Sequence, residues 1–339
     1  MTSSILGSLL GTAVGDALGL PYEGLSRKRV AACGKIRHRF LLERGMFSDD
    51  TEHTLMLAAA LIDHHDDAAA MQRCFAWKLR WWLLGLPAGV GLSTAKAIVR
   101  LWLGFPASRA GVKSAGNGAA MRSAIVGAFW ADDDTKRREY ALAACRVTHT
   151  DPRAEESAIL VAEAASMAVK GVSTEEVLSA LETFVTSDEM KTRFAALKTG
   201  LETEQSVLEY AAQIGCGHGV SGFAPNTVAV ALYAWLRHRG QFETAIRSVI
   251  ECGGDTDTVA AITGGICGAE VGEKGIPTAW VGAICDWPRS VHHIRGIAEA
   301  IADKSKPLPR LFWPFVLLRN AAFLAIVLLH GFRRLLPPY

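Results

Sequence analysis

The chain has 339 residues, of which 50% are hydrophobic and 21% are charged, and its net charge at pH 7 is +2. This composition excludes a disordered or fibrous chain and allows a large buried core. The weak net charge, without a basic stripe, gives no reason to expect a nucleic acid partner. The seven cysteines form no C-x-x-C pair and are typical of reduced residues in a cytoplasmic protein, which is the location we expect.

The first predicted element is an apolar helix with a stripe of glycines. Four of them recur every fourth residue and share one helix face: Gly7, Gly11, Gly15 and Gly19. Glycine costs about 1 kcal/mol relative to alanine inside a helix, so the stripe indicates a close backbone neighbour. The small-residue run at 259–272 offers a matching surface. We expect the two helices to be central and adjacent, which would bring Glu23 near Asp255.

Two acidic stretches each precede an apolar, helix-like segment. One is SDDT at 48–51 and the other, after two glycines, is DTDT at 255–258. Each aspartate taken alone could simply cap a helix. If the two helix starts face one another, their carboxylates repel unless protons or cations neutralise them. Oxygen ligands of this kind suit Mg²⁺, Mn²⁺ or Ca²⁺ rather than zinc. Glu23, in a turn, either joins this acidic cavity or is a solvated loop glutamate.

Glycines flank Asn117 in a loop that precedes a predicted helix at 123–130. Gly116 and Gly118 permit positive φ and close approach of a ligand, and the N–H groups at a helix start can hold a phosphate. The pattern fits neither a Walker A loop nor a dinucleotide fingerprint. His149 stands at a helix junction, where it is either a partly buried cap or a ligand-binding residue.

The rest of the chain predicts one large, almost entirely α-helical domain. Amphipathic segments follow one another, and no alternating strand pattern with hairpin turns occurs. The segment 68–84 is predicted to be a helix rich in aromatic residues that serve the core or an interface, and 27–47 to be a basic, irregular surface loop. We place the domain at 1–305 and an apolar and basic helical tail at 306–339.

The tail contains an apolar stretch at 311–329, flanked by Arg310, Arg333 and Arg334. Its length would span a bilayer, and its basic flanks suit a membrane surface. Arg319 and Asn320 in the middle argue against a clean transmembrane helix. The segment 311–334 is therefore either an interfacial or re-entrant membrane anchor, or a helix that packs on the domain or on a partner subunit.

Five motifs occur in order along the chain: GDALGLPYE at 15–23, SDDT at 48–51, GNGAAMR at 116–122, TH at 148–149 and GGDTDT at 253–258. Together they resemble the motifs of the ADP-ribosylglycohydrolase family, which includes dinitrogenase reductase-activating glycohydrolases and ADP-ribosyl-arginine and ADP-ribosyl-serine hydrolases. The resemblance covers roughly residues 4 to 300. It implies a single orthogonal all-α domain with two Mg²⁺ or Mn²⁺ ions in a central cleft.

The resemblance also implies roles for individual residues. Glu23 would be the catalytic carboxylate that acts on the scissile bond, and His149 would approach the phosphate or ribose. The metal ions would be held by Ser48, Asp49, Asp50, Asp255, Asp257 and Thr258. The diphosphate groove would be formed by Ser114, Gly116, Asn117 and Gly118, with Gly91 at its border. Ser48 stands where relatives often have threonine, and Ala115 where some place an aromatic ring against adenine.

The expected activity is metal-dependent hydrolysis that removes ADP-ribose from an arginine or serine side chain, or from a small conjugate, by cleaving an N- or O-glycosidic bond. The partner would be an ADP-ribosylated protein or a small ADP-ribosyl conjugate. Two other functions stay open: a catalytically silent ADP-ribose-binding or structural member of the fold, and another Mg²⁺-dependent hydrolase of a nucleotide-like substrate. The intact acids together with Glu23 favour an enzyme.

Overall fold

The computed structural model describes residues 2–303 and 305–335. In these residues the chain forms seventeen α-helices and one two-stranded sheet. The first nine helices are α1 (Thr2–Gly19), α2 (Arg27–Ala32), α3 (Asp49–Asp63), α4 (Ala68–Leu84), α5 (Leu92–Trp102), α6 (Ala124–Phe129), α7 (Asp134–Arg146), α8 (Pro152–Lys170) and α9 (Thr174–Glu182).

The remaining helices are α10 (Asp188–Glu202), α11 (Val207–Ala211), α12 (Ala224–Arg237), α13 (Phe242–Glu251), α14 (Thr256–Val271), α15 (Thr278–Ala283), α16 (Val291–Ala302) and α17 (Trp313–Arg333). Two very short strands, β1 (Leu25–Ser26) and β2 (Gly253–Gly254), pair in antiparallel orientation. The predicted all-α fold with a C-terminal apolar helix is confirmed.

Helices α1 and α14 cross the centre of the domain in direct backbone contact. A Cβ on Gly11 would lie 2.0 Å from the carbonyl oxygen of Gly264, and a Cβ on Gly264 would lie 2.1 Å from that of Gly11. The other three glycines of the α1 stripe face α14 in the same way. The predicted helix pair is therefore confirmed, and only glycine fits at these crossing positions.

Capping residues in the sequence set the starts of several helices, including α3 and α4. The predicted helix at 68–84 occupies those residues because the carboxylate of Asp67 accepts a hydrogen bond from the N–H of Ala70. At the start of α3, the hydroxyl of Ser48 accepts the N–H of Asp50. The cap fixes where α3 begins and so fixes the position of its two leading aspartates.

The segment 27–47 is only in part the irregular surface loop that its basic composition predicts, because several of its residues are exposed and irregular while others are helical or buried. Helix α2 opens it, and Val30 is buried in the core. His38 is also buried, with its ring nitrogens 3.3 Å from the Ala17 carbonyl oxygen and 3.1 Å from that of Trp280. The prediction was wrong for α2 and for the buried residues, because a few apolar or hydrogen-bonded side chains, rather than the overall charge, decide which parts of a short segment are buried.

The tail packs on the domain through the two polar residues of its apolar stretch. Arg319 donates to Asp286 Oδ2 over 2.6 Å and to the carbonyl oxygen of Phe47 over 2.6 Å, and Asn320 donates to that of Gly85 over 2.7 Å. These partners offset the cost of burying a charge and an amide. The tail is therefore a helix held on the domain. The boundary at residue 305 stays a prediction.

Among the described residues, two segments are long and apolar enough to cross a membrane. The first, Ser3–Tyr22, is 83% buried because it contains the central helix α1. The second, Trp313–Arg333, is only 22% buried. The apolar side chains exposed on and beside α17 are Phe312, Phe315, Leu318, Leu324, Leu328, Leu329, Phe332 and Leu335.

Candidate active site

A cleft of about 520 Å³ opens where the starts of α3, α5 and α14 meet. It brings together twelve of the thirteen residues proposed from the sequence: Glu23, Ser48, Asp49, Asp50, Gly91, Gly116, Asn117, Gly118, His149, Asp255, Asp257 and Thr258. Ser114 is not among the described residues that line it. Its hydroxyl accepts hydrogen bonds from the N–H of Gly116 at 3.3 Å and the hydroxyl of Ser93 at 2.8 Å, so Ser114 supports the loop from outside the cleft.

The two acidic helix starts face each other in this cleft. Thr258 donates its hydroxyl hydrogen to Asp50 Oδ2 over 3.4 Å, which joins α14 to α3. The other carboxylate oxygen of Asp50 and one of Asp257 are buried without a hydrogen-bond partner in the described part of the chain. Buried carboxylate oxygens normally have a partner, so these two atoms indicate a site for a cation or protons.

Three carboxyl groups of the cleft, those of Asp49, Asp50 and Asp257, have raised pKa values. Burial raises the pKa of Asp49 to about 8, and the charges of Asp16 and Glu52 add to the rise. Burial and the neighbouring acids also raise the pKa values of Asp50 and Asp257 well above their usual range. Negative charge is therefore costly here unless a positive charge enters the cleft.

Asp16 is a residue whose role the sequence reasoning missed. Its carboxylate is fully buried in α1 and accepts hydrogen bonds from the N–H of Ser48 at 2.9 Å, the N–H of Thr51 at 3.1 Å and the hydroxyl of Thr51 at 2.6 Å. Burial raises the pKa of Asp16 to about 6, although these hydrogen bonds oppose the rise. Asp16 thus holds the turn that presents Asp49 and Asp50. An isolated aspartate within an apolar, glycine-rich helix was the available signal.

A two-residue strand places Glu23 beside the second acidic motif. The N–H of Gly24 donates to the carbonyl oxygen of Gly254 over 2.7 Å, and Leu25 pairs with Gly254. Glu23 keeps access to solvent at the mouth of the cleft. Its partial burial there raises its pKa, the negative charge of Asp255 adds to the rise, and the guanidinium of Arg334 opposes it.

The glycine loop is connected to the acidic motif through Asn117. The side-chain amide of Asn117 donates to Asp255 Oδ2 over 2.7 Å, while its backbone N–H donates to the Gly222 carbonyl oxygen over 3.0 Å. Asn117 therefore orients a predicted metal ligand, and its own N–H is already used. The neighbouring Gly116 and Gly118 leave room at the cleft surface for a ligand, because they carry no side chain there.

His149 is buried at the end of the cleft formed by this loop. Its Nδ1 lies 2.8 Å from the hydroxyl of Thr148, and a Cβ on Gly118 would lie 3.0 Å from its ring. Burial, together with the nearby charge of Arg122, lowers the pKa of His149 to about 3, so the ring is neutral at pH 7. Arg122 donates to Thr148 Oγ1 over 2.6 Å and to the Gly118 carbonyl oxygen, and so fixes both neighbours of His149.

The residues that could hold a metal ion supply only oxygen atoms, the ligand type preferred by Mg²⁺ and Mn²⁺. The unpaired carboxylate oxygens of Asp50 and Asp257 fit such an ion. Within residues 2–303 and 305–335, however, no three acidic, histidine or cysteine side chains are gathered closely enough, as they stand, to enclose one. Side-chain rotation would be needed to complete a coordination shell.

The sequence and the helical fold match one family of hydrolases. The chain belongs to the ADP-ribosylglycohydrolase family, whose model matches residues 1–309. It is therefore a glycohydrolase-family enzyme, and α17 lies beyond the residues that the family model matches.

Individual relatives agree with this assignment. An uncharacterised protein from Archaeoglobus fulgidus is 34% identical over 82% of this chain and 90% of its own length. The ADP-ribosylarginine hydrolase Tri1 of Pseudomonas putida is 26% identical over 90% of this chain and 79% of its own. The ADP-ribosyl-[dinitrogen reductase] glycohydrolase of Rhodospirillum rubrum is 26% identical over 81% of this chain and 88% of its own length.

A solved structure named an ADP-ribosylglycohydrolase-related protein complex has the same fold. It superposes with a TM-score of 0.62 at 28% sequence identity, covering 88% of this chain and 97% of that one. The helical domain described above is thus the fold of this family, and ADP-ribosyl hydrolysis is its general activity.

Proposed function

We propose that the protein is a cation-dependent hydrolase that releases ADP-ribose from an arginine or serine side chain, or from a small ADP-ribosyl conjugate. The observation that carries the proposal is the convergence of Glu23, two acidic helix starts and a glycine loop in one cleft. Names of relatives support the reaction class, since one is an ADP-ribosylarginine hydrolase and another an ADP-ribosyl-[dinitrogen reductase] glycohydrolase.

Two divalent cations, Mg²⁺ or Mn²⁺, would be held between the two acidic helix starts. The ligands would be Ser48, Asp49 and Asp50 on one side and Asp255, Asp257 and Thr258 on the other. Bound cations of this kind lower the pKa of a water molecule and orient the hydroxyls of a ribose. Asp16 and Asn117 would keep the acidic motifs in place, because each is hydrogen-bonded to one of them.

Glu23 would transfer the proton in the reaction. Cleavage at the anomeric carbon develops oxocarbenium character, so the departing nitrogen or oxygen needs a proton and the attacking water must lose one. The raised pKa of Glu23 keeps its carboxyl group protonated to a greater extent than that of a free glutamate at the same pH, which favours a role as proton donor. The position of Glu23 at the cleft mouth, next to Asp255, suits a group that acts where the leaving group departs.

The glycine loop and His149 would bind the diphosphate. Gly116 and Gly118 allow the phosphate oxygens to approach the backbone, and the buried ring of His149 lies against both glycines. Because this ring is neutral, it would contribute a directed hydrogen bond rather than a positive charge. Gly91, the residue before α5, would border the same groove.

The competing function is a binding module that recognises ADP-ribose without cleaving it. Such a module would need the glycine loop but not a carboxylate with a raised pKa at the cleft mouth. Release of ADP-ribose from arginine-linked and serine-linked peptides, measured with Mg²⁺, with Mn²⁺ and with a chelator, separates the two functions. Chelator-sensitive release from either peptide is the expected result, and tight ADP-ribose binding without release from either would contradict it.

We also propose that the outer face of α17 contacts an anionic membrane surface. A helix on a water-soluble domain normally presents polar residues outward, whereas α17 buries Arg319 and Asn320 and exposes leucines and phenylalanines. The sequence from 304 to 339 contains no aspartate or glutamate. Basic residues near its ends, including Arg310 and Arg333, complement anionic headgroups. The protein would then be cytoplasmic and act near a membrane.

A further inference from the structure

Helix α17 lies outside the residues matched to the family, yet it forms part of the cleft wall. Phe323 and Val327 are one helical turn apart and both line the cleft. They belong to an apolar cluster with Leu20 and Ala88. Leu20 lies just before Glu23 and Ala88 just before α5, so α17 bridges two segments of the cleft edge.

Hydrogen bonds hold α17 to the segments that carry the candidate catalytic groups. Near its N-terminal half, Arg319 donates to the carbonyl oxygen of Phe47, the residue before Ser48. Near its C-terminal end, Arg334 donates to the backbone carbonyl oxygen of Glu23 over 2.8 Å. His330 Nε2 also lies 3.0 Å from the Pro21 carbonyl oxygen. The apolar wall formed by Phe323 and Val327 is therefore fixed to the segment before Ser48 at one end and to the segment of Glu23 at the other.

The wall formed by Phe323 and Val327 lies at the side of the cleft where the leaving group of the substrate would depart. The glycine loop and His149 take the diphosphate in the proposed function, on which this step rests, whereas Glu23 acts where the leaving group departs. We infer that Phe323 and Val327 are specificity-determining residues, and that the wall they form favours ADP-ribose on an uncharged leaving group, such as a serine hydroxyl, over a guanidinium.

The chemistry of the wall explains the preference. The guanidinium of an arginine-linked substrate keeps four N–H donors, because the bond to ribose replaces one of the five of free arginine, and the side chains of Phe323 and Val327 supply no acceptor for them. Leaving such donors unpaired in a partly buried site is costly. The positive charge of Arg334, close enough to lower the pKa of Glu23, would also repel a cationic leaving group. A serine-linked substrate has neither problem.

Val327 is the better position for a test because Phe323, besides lining the cleft, also packs in the interior, so that its substitution would disturb the fold. Phe323 is 2% exposed and packs under the guanidinium of Arg319, whose central carbon lies 4.2 Å from the ring centre. Val327 is only partly buried, so a longer polar side chain can extend into the cleft. The variant Val327→Glu would give the wall an acceptor and a negative charge.

The experiment compares kcat/KM for one peptide carrying either serine-linked or arginine-linked ADP-ribose. In Val327→Glu we expect the ratio of the two values to shift up to about fivefold towards the arginine-linked peptide, the scale of a partly exposed ion pair. Val327→Gln, which adds an acceptor without a charge, should shift the ratio less but in the same direction. The dissociation constant of free ADP-ribose, which has no leaving group, should not change in either variant.

The matched control is Leu328→Glu, the same substitution on the adjacent, exposed residue of the outer face. For this variant, the ratio of kcat/KM for the serine-linked peptide to kcat/KM for the arginine-linked peptide should equal that of the unmodified protein. An unchanged ratio in both Val327 variants, or an equal shift in Leu328→Glu, would overturn the assignment of the wall. If instead the unmodified protein releases ADP-ribose from neither peptide, the proposed function itself fails and this inference fails with it.

Discussion

The N–H of Gly24 donates a hydrogen bond to the carbonyl oxygen of Gly254 over 2.7 Å, and this contact joins two parts of the chain that are far apart in sequence. It sets Glu23, one residue before Gly24, beside Asp255, one residue after Gly254. The proposed proton-transferring group and the acidic motif are therefore held together by backbone geometry, and changes in either side chain should leave the cleft itself intact.

Asp257→Asn should separate metal binding from folding. Asp257 is buried among other acids and its pKa is raised well above the usual range, so neutralising it should leave the free energy of unfolding without metal unchanged or higher. Mn²⁺ at about 100 times its Kd should stabilise the unmodified protein by about 2.7 kcal/mol and the variant hardly at all. Thermal unfolding with and without Mn²⁺ measures both effects.

Asp188→Asn is a suitable control, because this aspartate is exposed on α10 and should leave the Mn²⁺ response unchanged. A full Mn²⁺ response in Asp257→Asn would remove Asp257 from the ligand set.

Gly11→Ala should destabilise the fold by at least about 3 kcal/mol. The new Cβ would lie 2.0 Å from the Gly264 carbonyl oxygen, and both are backbone-constrained, so α1 and α14 would have to separate. Gly282→Ala in α15 meets no atom within 4 Å and should be neutral or stabilising by up to about 1 kcal/mol. Urea unfolding of both variants tests this, and equal stabilities would mean that the helix crossing is not tight.

His293 should make the protein less stable in acid. Burial, with smaller effects of Arg289 and His292, lowers its pKa to about 4. The unfolded chain takes up a proton near pH 6.5 and the folded one does not, so this contribution is complete above pH 6.5 and is lost towards pH 4. The loss should be about 3 kcal/mol.

The pH dependence should be measured as the difference in unfolding free energy between the unmodified protein and His293→Leu. His292→Leu, an exposed neighbour on α16, should retain most of the dependence. If the difference between the protein and His293→Leu were constant from pH 7 to pH 4, His293 would titrate normally in the folded state.

Binding of α17 to membranes should depend on both lipid charge and the outer face. The protein should float with vesicles that contain phosphatidylserine and much less with vesicles of phosphatidylcholine alone. Leu328→Glu with Phe332→Glu, both on the exposed face, should abolish flotation. Flotation that persists in this double variant would contradict the proposal, as would a stable dimer in light scattering that buries the same face.

The sequence was sufficient to predict the features that depend on local spacing. The glycine stripe of α1 has one physical use, close helix contact, so the α1 and α14 pair could be predicted along with the approach of Glu23 to Asp255. The two acidic helix starts could be recognised because acidic and hydroxyl residues precede an apolar segment in each, although only α3 has a side-chain capping hydrogen bond. Twelve of the thirteen proposed site residues line one cleft for these reasons, although their individual roles stay predictions.

The features that could not be predicted depend on partners distant in sequence. Asp16 is a hydrogen-bond acceptor for the turn at Ser48 only because α1 passes beneath α3. In the sequence, Arg319 is a charged residue that interrupts an apolar segment. It anchors α17 only because Asp286 and the backbone of Phe47 accept its hydrogen bonds. No periodicity in the chain encodes such pairings, and composition alone misplaced the buried His38 on the surface.

The most direct test of the central claim is a comparison of Glu23→Gln with the unmodified protein in single-turnover release of ADP-ribose. Glutamine keeps the size of the side chain but cannot transfer the proton, so we expect turnover to fall by about 10²-fold or more while ADP-ribose and Mn²⁺ bind as before. Turnover close to that of the unmodified protein, with binding unchanged, would contradict the assignment of this cleft as a site in which Glu23 performs the chemistry.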